Sequence, residues 1–255
     1  MFMNSIVILF IAFAGVFGAT LLGVFLRAVL PEQHLSADSK DTVRLGIGVI
    51  ATMAALVLGL LVTSAKSFYD SQSSELTQLS ANVILLDRVL AHYGPETKEA
   101  RDSLRAAVGR TLDLMWQQDQ QHSQMEPGAG GGDILYDKIQ ALSPQNEAQR
   151  VLQAQASSMA IDLGKLRWLM IEQESSSVSL PLLVILVLWL AIIFASFGLF
   201  APPNATVIST LFLCALSVSG AIYFITETYT PFQGVMQISS APLRSALAHL
   251  SSARN

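Results

Sequence analysis

The residues able to do chemistry in this chain stand at the ends of an uncharged run rather than in a catalytic cluster. Between Arg44 and Lys66 lie 21 residues without a charge. Asp38, Lys40, Asp41 and Arg44 stand at one end, Lys66 and Asp70 at the other. Within the run, Gly48, Thr52, Ala55, Gly59 and Thr63 recur at spacings of 4, 3, 4 and 4, which places them on one face of a helix. Two kinds of chemistry fit this pattern. In an ion path, the charged ends select ions, the small face widens the path, and Leu56, Leu60 and Val62 form an apolar constriction that gates by dewetting. In a packing role, the small face lets this helix approach another closely in lipid, where van der Waals contact drives association. The partner is then the first apolar block or a symmetry mate. Glu227, among Tyr223, Phe224, Tyr229 and Phe232, adds one more charge, as an interfacial anchor or a cation contact at a pore mouth.

Enzyme chemistry has little to work with. His34, His92, His122 and His249 are scattered through polar sequence. His34 and Asp38 fall one helical turn apart, which alone makes no metal site. No G-x-S-x-G motif occurs, and Pro127-Gly-Ala-Gly-Gly-Gly132 lacks the G-K-[ST] of a phosphate loop. The single cysteine, Cys214, sits in an apolar block, so the chain forms no internal disulfide and no zinc site. The expectation is therefore no catalytic residue, no metal and no cofactor. With 15 Lys and Arg against 19 Asp and Glu, the net charge of −4 points away from nucleic acid.

The elements that must position the run are membrane helices. Only 13% of residues are charged, against roughly 25% in soluble domains, and the mean hydropathy is +0.49. The deficit falls in four apolar blocks, at about 4–26, 45–64, 178–200 and 205–226. Each holds about 20 residues, the length that crosses a bilayer at 1.5 Å per residue. None has an ionisable residue in its interior, which argues against a proton pump or a carboxylate-coupled transporter. The first block reads as a retained span rather than a cleaved signal, because no basic residue precedes it and no A-x-A site follows. Ala201-Pro-Pro-Asn204 makes a tight turn, so the third and fourth blocks are antiparallel neighbours.

The expected organisation is a first transmembrane pair at 1–64, an extramembrane helical bundle at 65–177, a second pair at 178–230 and a tail at 231–255. Four crossings put both termini and the middle segment on one side. Arg27, Lys40 and Arg44 balance Lys66, Lys165 and Arg167, so short-loop charge leaves the orientation open. Asp38, with Asp41 three residues on, resembles a helix N-cap, and acids there suit the helix dipole.

In the middle segment, Leu76, Leu79, Val83, Leu86 and Leu90 follow spacings of 3, 4, 3 and 4, a heptad seam. No Gly or Pro lies between Leu60 and Gly94, so one helix runs on from the second span and stops at Gly94-Pro95. A second amphipathic helix follows at roughly 96–121, with Leu104, Val108, Leu112 and Met115 on one face. A third carries Leu152, Ala156, Met159, Leu163, Leu166 and Met170. These faces close an intramolecular bundle, or one of them packs on another subunit. With 10 basic and 15 acidic residues, the segment is mildly acidic.

Several stretches then resemble a known family. Leu30-Pro-Glu-Gln-His-Leu-Ser-Ala-Asp-Ser-Lys-Asp-Thr-Val-Arg-Leu-Gly46, Ile50-Ala-Thr-Met-Ala-Ala-Leu-Val-Leu-Gly-Leu-Leu61, Ser64-Ala-Lys66, Leu86-Asp-Arg88 and Tyr93-Gly-Pro-Glu96 are similar to the bacterial bestrophin-like domain family. So are Pro231-Phe-Gln-Gly234 and Ile238-Ser-Ser-Ala-Pro-Leu-Arg244. The family's name implies a remote likeness to bestrophins, pentameric chloride channels with four membrane helices per subunit and cytosolic helices between the second and third. That likeness implies the second helix along a pore and the middle segment in the cytoplasm of a bacterial inner membrane. No stretch here matches the acidic calcium clasp of bestrophins.

Together these readings give an all-α integral membrane protein with four transmembrane helices and an extramembrane helical bundle inserted between the second and third. The leading functional expectation is a homo-oligomeric ion channel for anions such as chloride, pentameric if the resemblance holds. The alternative is a non-conducting scaffold or sensor whose bundle binds a protein partner. The lipid bilayer is a partner in both.

Overall fold

The computed structural model describes residues 5–31, 37–116, 132–174, 180–202, 204–232 and 234–252. The described residues are helical apart from turns and short connections: α1 (Ser5–Val29), α2 (Ala37–Tyr93), a 3-10 turn (Pro95–Thr97), α3 (Lys98–Trp116), α4 (Gly132–Gln140), α5 (Glu147–Glu174), α6 (Leu180–Phe200), α7 (Ala205–Thr228) and α8 (Ala241–Ser252). Four of these, α1, α2, α6 and α7, are long and apolar enough to cross a membrane. The chain divides into two compact units. One comprises Met1–Phe68 and Ser177–Tyr229, the other Tyr69–Ser176 and Thr230–Asn255.

In the first unit, α1 packs against α6 and α7. Its buried stripe runs Ala12, Val16, Thr20 and Gly23, at helical spacing. The approach to α6 is closest at two glycines. A Cβ on Gly23 would collide with the carbonyl oxygen of Ala195 and lie 2.9 Å from Leu199 N. A Cβ on Gly198 would collide with Thr20 O and lie 3.1 Å from Val24 N. Only hydrogen at both positions lets backbone meet backbone, the usual device of helices packed in lipid. The Thr20 hydroxyl donates to Val16 O within its own helix (3.3 Å) and so enters this buried crossing satisfied. Against α7, Phe13 and Phe17 stack at 5.6 Å and each meets Phe212 edge-on at 5.3 Å. Asn204 caps α7: its side chain accepts the Val207 N–H at 2.8 Å. Arg27 Nη1, at the end of α1, donates to Ala201 O at the end of α6.

α2 is one uninterrupted helix of 57 residues, as the lack of Gly and Pro after Leu60 predicts. It starts at Ala37, so Asp38 falls inside the first turn rather than at the N-cap. An acid there still complements the helix dipole. The helix stops at Gly94, whose φ of 137° is a conformation that L side chains rarely adopt. Thr97 lies just beyond, and its buried hydroxyl reaches back to Leu90 O (2.7 Å), a carbonyl of the last helical turn, and to Gly94 O (2.8 Å).

In the second unit, Leu76, Leu79, Val83, Leu86 and Leu90 are all buried in one apolar cluster. Leu104, Val108 and Met115 of α3 join them, with Ala156, Leu163 and Met170 of α5. The heptad face is thus covered by its own chain. Asp87 and Arg101 form a two-pronged ion pair at 2.7 and 2.9 Å that ties α2 to α3, with the Asp87 side chain only 8% exposed. Two elements join this cluster that the heptad pattern does not announce. α4 contributes Leu135 and Ile139, and α8 contributes Leu243, Ala246 and Leu250. The tail, 231–255, thus falls in this unit. Trp116 Nε1 donates to Ile238 O at 3.0 Å, its ring meets Phe232 edge-on at 5.4 Å, and Arg105 donates to Leu250 O. The second amphipathic helix is described as far as Trp116. The remainder of the expected 96–121 span and the Pro127–Gly132 run lie outside the described residues, apart from Gly132 itself at the start of α4.

Candidate functional site

α2 offers two opposed faces. On one, Ala54, Leu61 and Ala65 are buried in the cluster of the first unit, with Ile47, Ile50 and Leu58 beside them. At about 100° per residue, the small stripe of Gly48, Thr52, Ala55, Gly59 and Thr63 lies roughly opposite that buried face. All five stripe residues are exposed, as are Leu56 and Leu60 beside them at 70% and 61%. A Cβ on Gly48 or Gly59 would meet no atom within 4 Å. The stripe therefore makes no close crossing with α1. Within one chain that crossing falls instead on Gly23 and Gly198.

The coverage of the four apolar helices separates α2 from the rest. Its own chain buries 11% of its apolar stretch, against 22% for α1, 28% for α6 and 22% for α7. α1 exposes Phe10, Leu22 and Phe25, while α6 and α7 expose Leu188, Phe197, Leu213 and Phe224, side chains that suit lipid tails. α2 exposes large apolar side chains too, among them Leu45, Val49, Met53 and Leu56, and beside them the stripe of glycine, alanine and threonine. Its two stripe hydroxyls are satisfied internally: Thr52 donates to Gly48 O at 2.8 Å and Thr63 to Gly59 O at 2.9 Å. Their protons are thereby committed to the helix.

The charges extend the same line. Asp41, Arg44, Gly48, Thr52, Ala55, Gly59, Thr63, Lys66 and Asp70 are separated by 3, 4, 4, 3, 4, 4, 3 and 4 residues, and every one is exposed. Asp41 and Arg44 sit 3.6 Å apart, a solvated pair worth only a few tenths of a kcal/mol. Lys40 is half-buried. The side chain of Asp38 lies outside the described residues.

Glu227 stands apart from this line. It is buried at the end of α7, only 5% exposed. Its neighbours Thr226 and Thr228 return their hydroxyls to the helix, onto Tyr223 O (2.9 Å) and Phe224 O (2.7 Å). Tyr229 follows. Its ring stacks on Phe68 at 5.1 Å and its hydroxyl lies 3.0 Å from Ser64 Oγ, which pins the end of α7 to α2. The aromatic cluster around Glu227 thus holds two helices together.

Among the described residues, no group of three His, Cys, Asp or Glu side chains is placed to hold a metal ion. A family model, the Bestrophin-like domain, matches residues 4–243. No curated protein and no solved structure matches the chain.

Proposed function

From the premise that this chain belongs to the Bestrophin-like family, we propose that it assembles into a homo-oligomeric anion channel with α2 nearest the axis. The observation that carries this reading is the face of α2 that its own chain leaves uncovered. Small residues without ionisable groups line it, and exposed charge closes both ends. Lipid gains nothing from glycine and threonine, whereas further copies of α2 gain close approach. Around an axis, the same stripe gives a narrow path whose tightest part is the apolar ring at Leu56 and Leu60, wetted when open and dry when shut. Arg44 and Lys66 stand nearest the uncharged run at its two ends, with Asp41 and Asp70 one turn farther out, so the innermost charge an ion meets at each mouth is positive and favours anions. Pentameric assembly follows only by analogy with bestrophins. The setting we propose is a bacterial inner membrane, with both termini and the unit that holds α3, α4, α5 and α8 in the cytoplasm.

The test is flux from liposomes containing the purified protein, with chloride and potassium gradients imposed separately. Wild type should pass chloride ahead of potassium, and Gly59→Leu should reduce flux at least tenfold or shrink the oligomer. Absence of flux in both orientations, across pH and calcium, would count for the non-conducting scaffold. Unchanged flux and oligomer size in Gly59→Leu would remove α2 from the axis.

A further inference from the structure

The second unit carries a half-open cavity of about 460 Å³, within the range of small-molecule sites. Its walls come from five helices: Leu79 of α2, Leu104 and Val108 of α3, Leu135 of α4, Trp168 of α5 and Leu243 of α8 among them, with one charged side chain reaching in from α5. That side chain is Arg167. It is half-buried, and its Nη2 is fully buried with no hydrogen-bond partner. A guanidinium N–H group taken out of water and given no acceptor is costly, so it calls for an explanation. Burial pulls the Arg167 pKa below the usual arginine range, with Asp133 acting against that shift and Arg110 with it.

The other polar groups narrow the choice. Asp133 and Asp137 sit one turn apart on α4, and both are exposed. They form a solvated acidic rim, and neither makes an ion pair with Arg167. Thr111 has already given its proton to Ala107 O at 2.9 Å. Tyr136 completes the polar lining. An apolar hollow with one half-buried cation, one of its nitrogens lacking any acceptor, accepts an apolar body with a negatively charged end. The acidic rim raises the cost of each additional negative charge on the ligand, so a single charge is preferred to two.

We propose that this cavity binds a single-chain monocarboxylate amphiphile, its carboxylate on Arg167 and its alkyl chain along Leu104, Val108 and Leu163. The site is independent of ion conduction and stands whether or not α2 lines a pore. Two substitutions separate its parts. Arg167→Gln removes the charge and keeps the size. Gly164→Leu puts a side chain into the hollow from a wall position where a Cβ meets no atom within 4 Å, and far-UV circular dichroism checks that the variant stays folded.

The experiment is titration of the full-length protein in lipid nanodiscs with decanoate, read through Trp168 fluorescence, with Trp168→Phe as the blank. Decanol and decyl phosphate serve as neutral and more highly charged probes. Wild type should saturate. Arg167→Gln should weaken decanoate at least tenfold and leave decanol unchanged, and Gly164→Leu should weaken both. Decyl phosphate should bind less tightly than decanoate. A wild type that shows no saturable change would overturn the proposal. So would decanoate binding that both variants leave intact, since that is the behaviour of simple partition into the bilayer. Tighter binding of decyl phosphate would overturn the assignment of the monocarboxylate.

Discussion

Replacing Gly23 or Gly198 with alanine tests the closest approach in the first unit. Each methyl group would meet a backbone carbonyl oxygen on the opposite helix head-on. The next atoms, Leu199 N at 2.9 Å and Val24 N at 3.1 Å, are also closer than ordinary contact. Neither obstacle is the far end of a flexible side chain, so the two helices must part. Overpacking of this kind costs about 1–3 kcal/mol, and obstruction by backbone places each variant near ~2 kcal/mol. That is a roughly 30-fold shift in the unfolding equilibrium. The two sites share one crossing. Once the first methyl has parted the helices, the second finds room, so the double variant should fall short of the sum by about 1 kcal/mol. The assay is unfolding of the detergent-solubilised protein by SDS titration, followed by far-UV circular dichroism. Gly18→Ala is the control, because a Cβ there meets nothing within 4 Å. Single variants within ~0.5 kcal/mol of wild type, or strictly additive ones, would refute a backbone-on-backbone crossing.

Other expectations rest on separate features. Asp87→Ala leaves Arg101 part-buried without its carboxylate and should cost about 3 kcal/mol, measured by the same titration; a loss under ~0.5 kcal/mol would sink the anchoring role. The Tyr93 hydroxyl is buried without a hydrogen-bond partner, and burial, reinforced by Glu96, holds its pKa above the ordinary value of 10.0. The neutral form is therefore favoured in the folded state. Its contribution is complete below pH 10.0 and is lost as pH rises through the raised value. Tyr93→Phe should flatten this alkaline loss in a pH series of melting temperatures, and an unchanged slope would assign the loss to other groups. Ser219 is buried in α7 with its hydroxyl unpartnered, so Ser219→Ala should match or exceed wild-type stability by up to ~1 kcal/mol; a clear loss would reveal an acceptor for that hydroxyl.

The elements were legible where one physical signal was strong. Four apolar runs near 20 residues gave the candidate spans, and the 3-4 spacing of Leu76 to Leu90 gave the buried face of α2. Gly94-Pro95 marked the stop, because few other residues accept φ of 137° and proline cannot continue a helix. The pairing of α1 with α6 was not legible. In lipid, the packed and lipid-facing sides of a helix are equally apolar, so hydrophobicity carries no direction and only small residues hint at a seam. On α1 the hint was partial. Ala12 and Gly23 are buried, but Gly15 is exposed, and the stripe passes instead through Val16 and Thr20. α4 escaped notice because nine residues hold only one turn's worth of pattern, Leu135 and Ile139. α8 was readable in Leu243, Ala246 and Leu250, whose spacings of 3 and 4 fit a helix, but the segment lay beyond the last span and was set aside as a tail. The burial of Glu227 depends on neighbours from other helices, which no local pattern reports.

The line from Asp41 to Asp70 carries one more consequence. Its spacings of 3, 4, 4, 3, 4, 4, 3 and 4 repeat every 11 residues, a period longer than the turn of a straight helix. A seven-residue seam drifts one way around the rod and an eleven-residue seam drifts the other. Copies of α2 that meet along this line must lean to follow it, and an eleven-residue repeat makes them wind as a right-handed rope. The heptad of Leu76 to Leu90, farther along the same helix, calls for the opposite hand. The two seams of one rod thus serve different partners: the chain's own helices close the heptad, while the eleven-residue line is left outward.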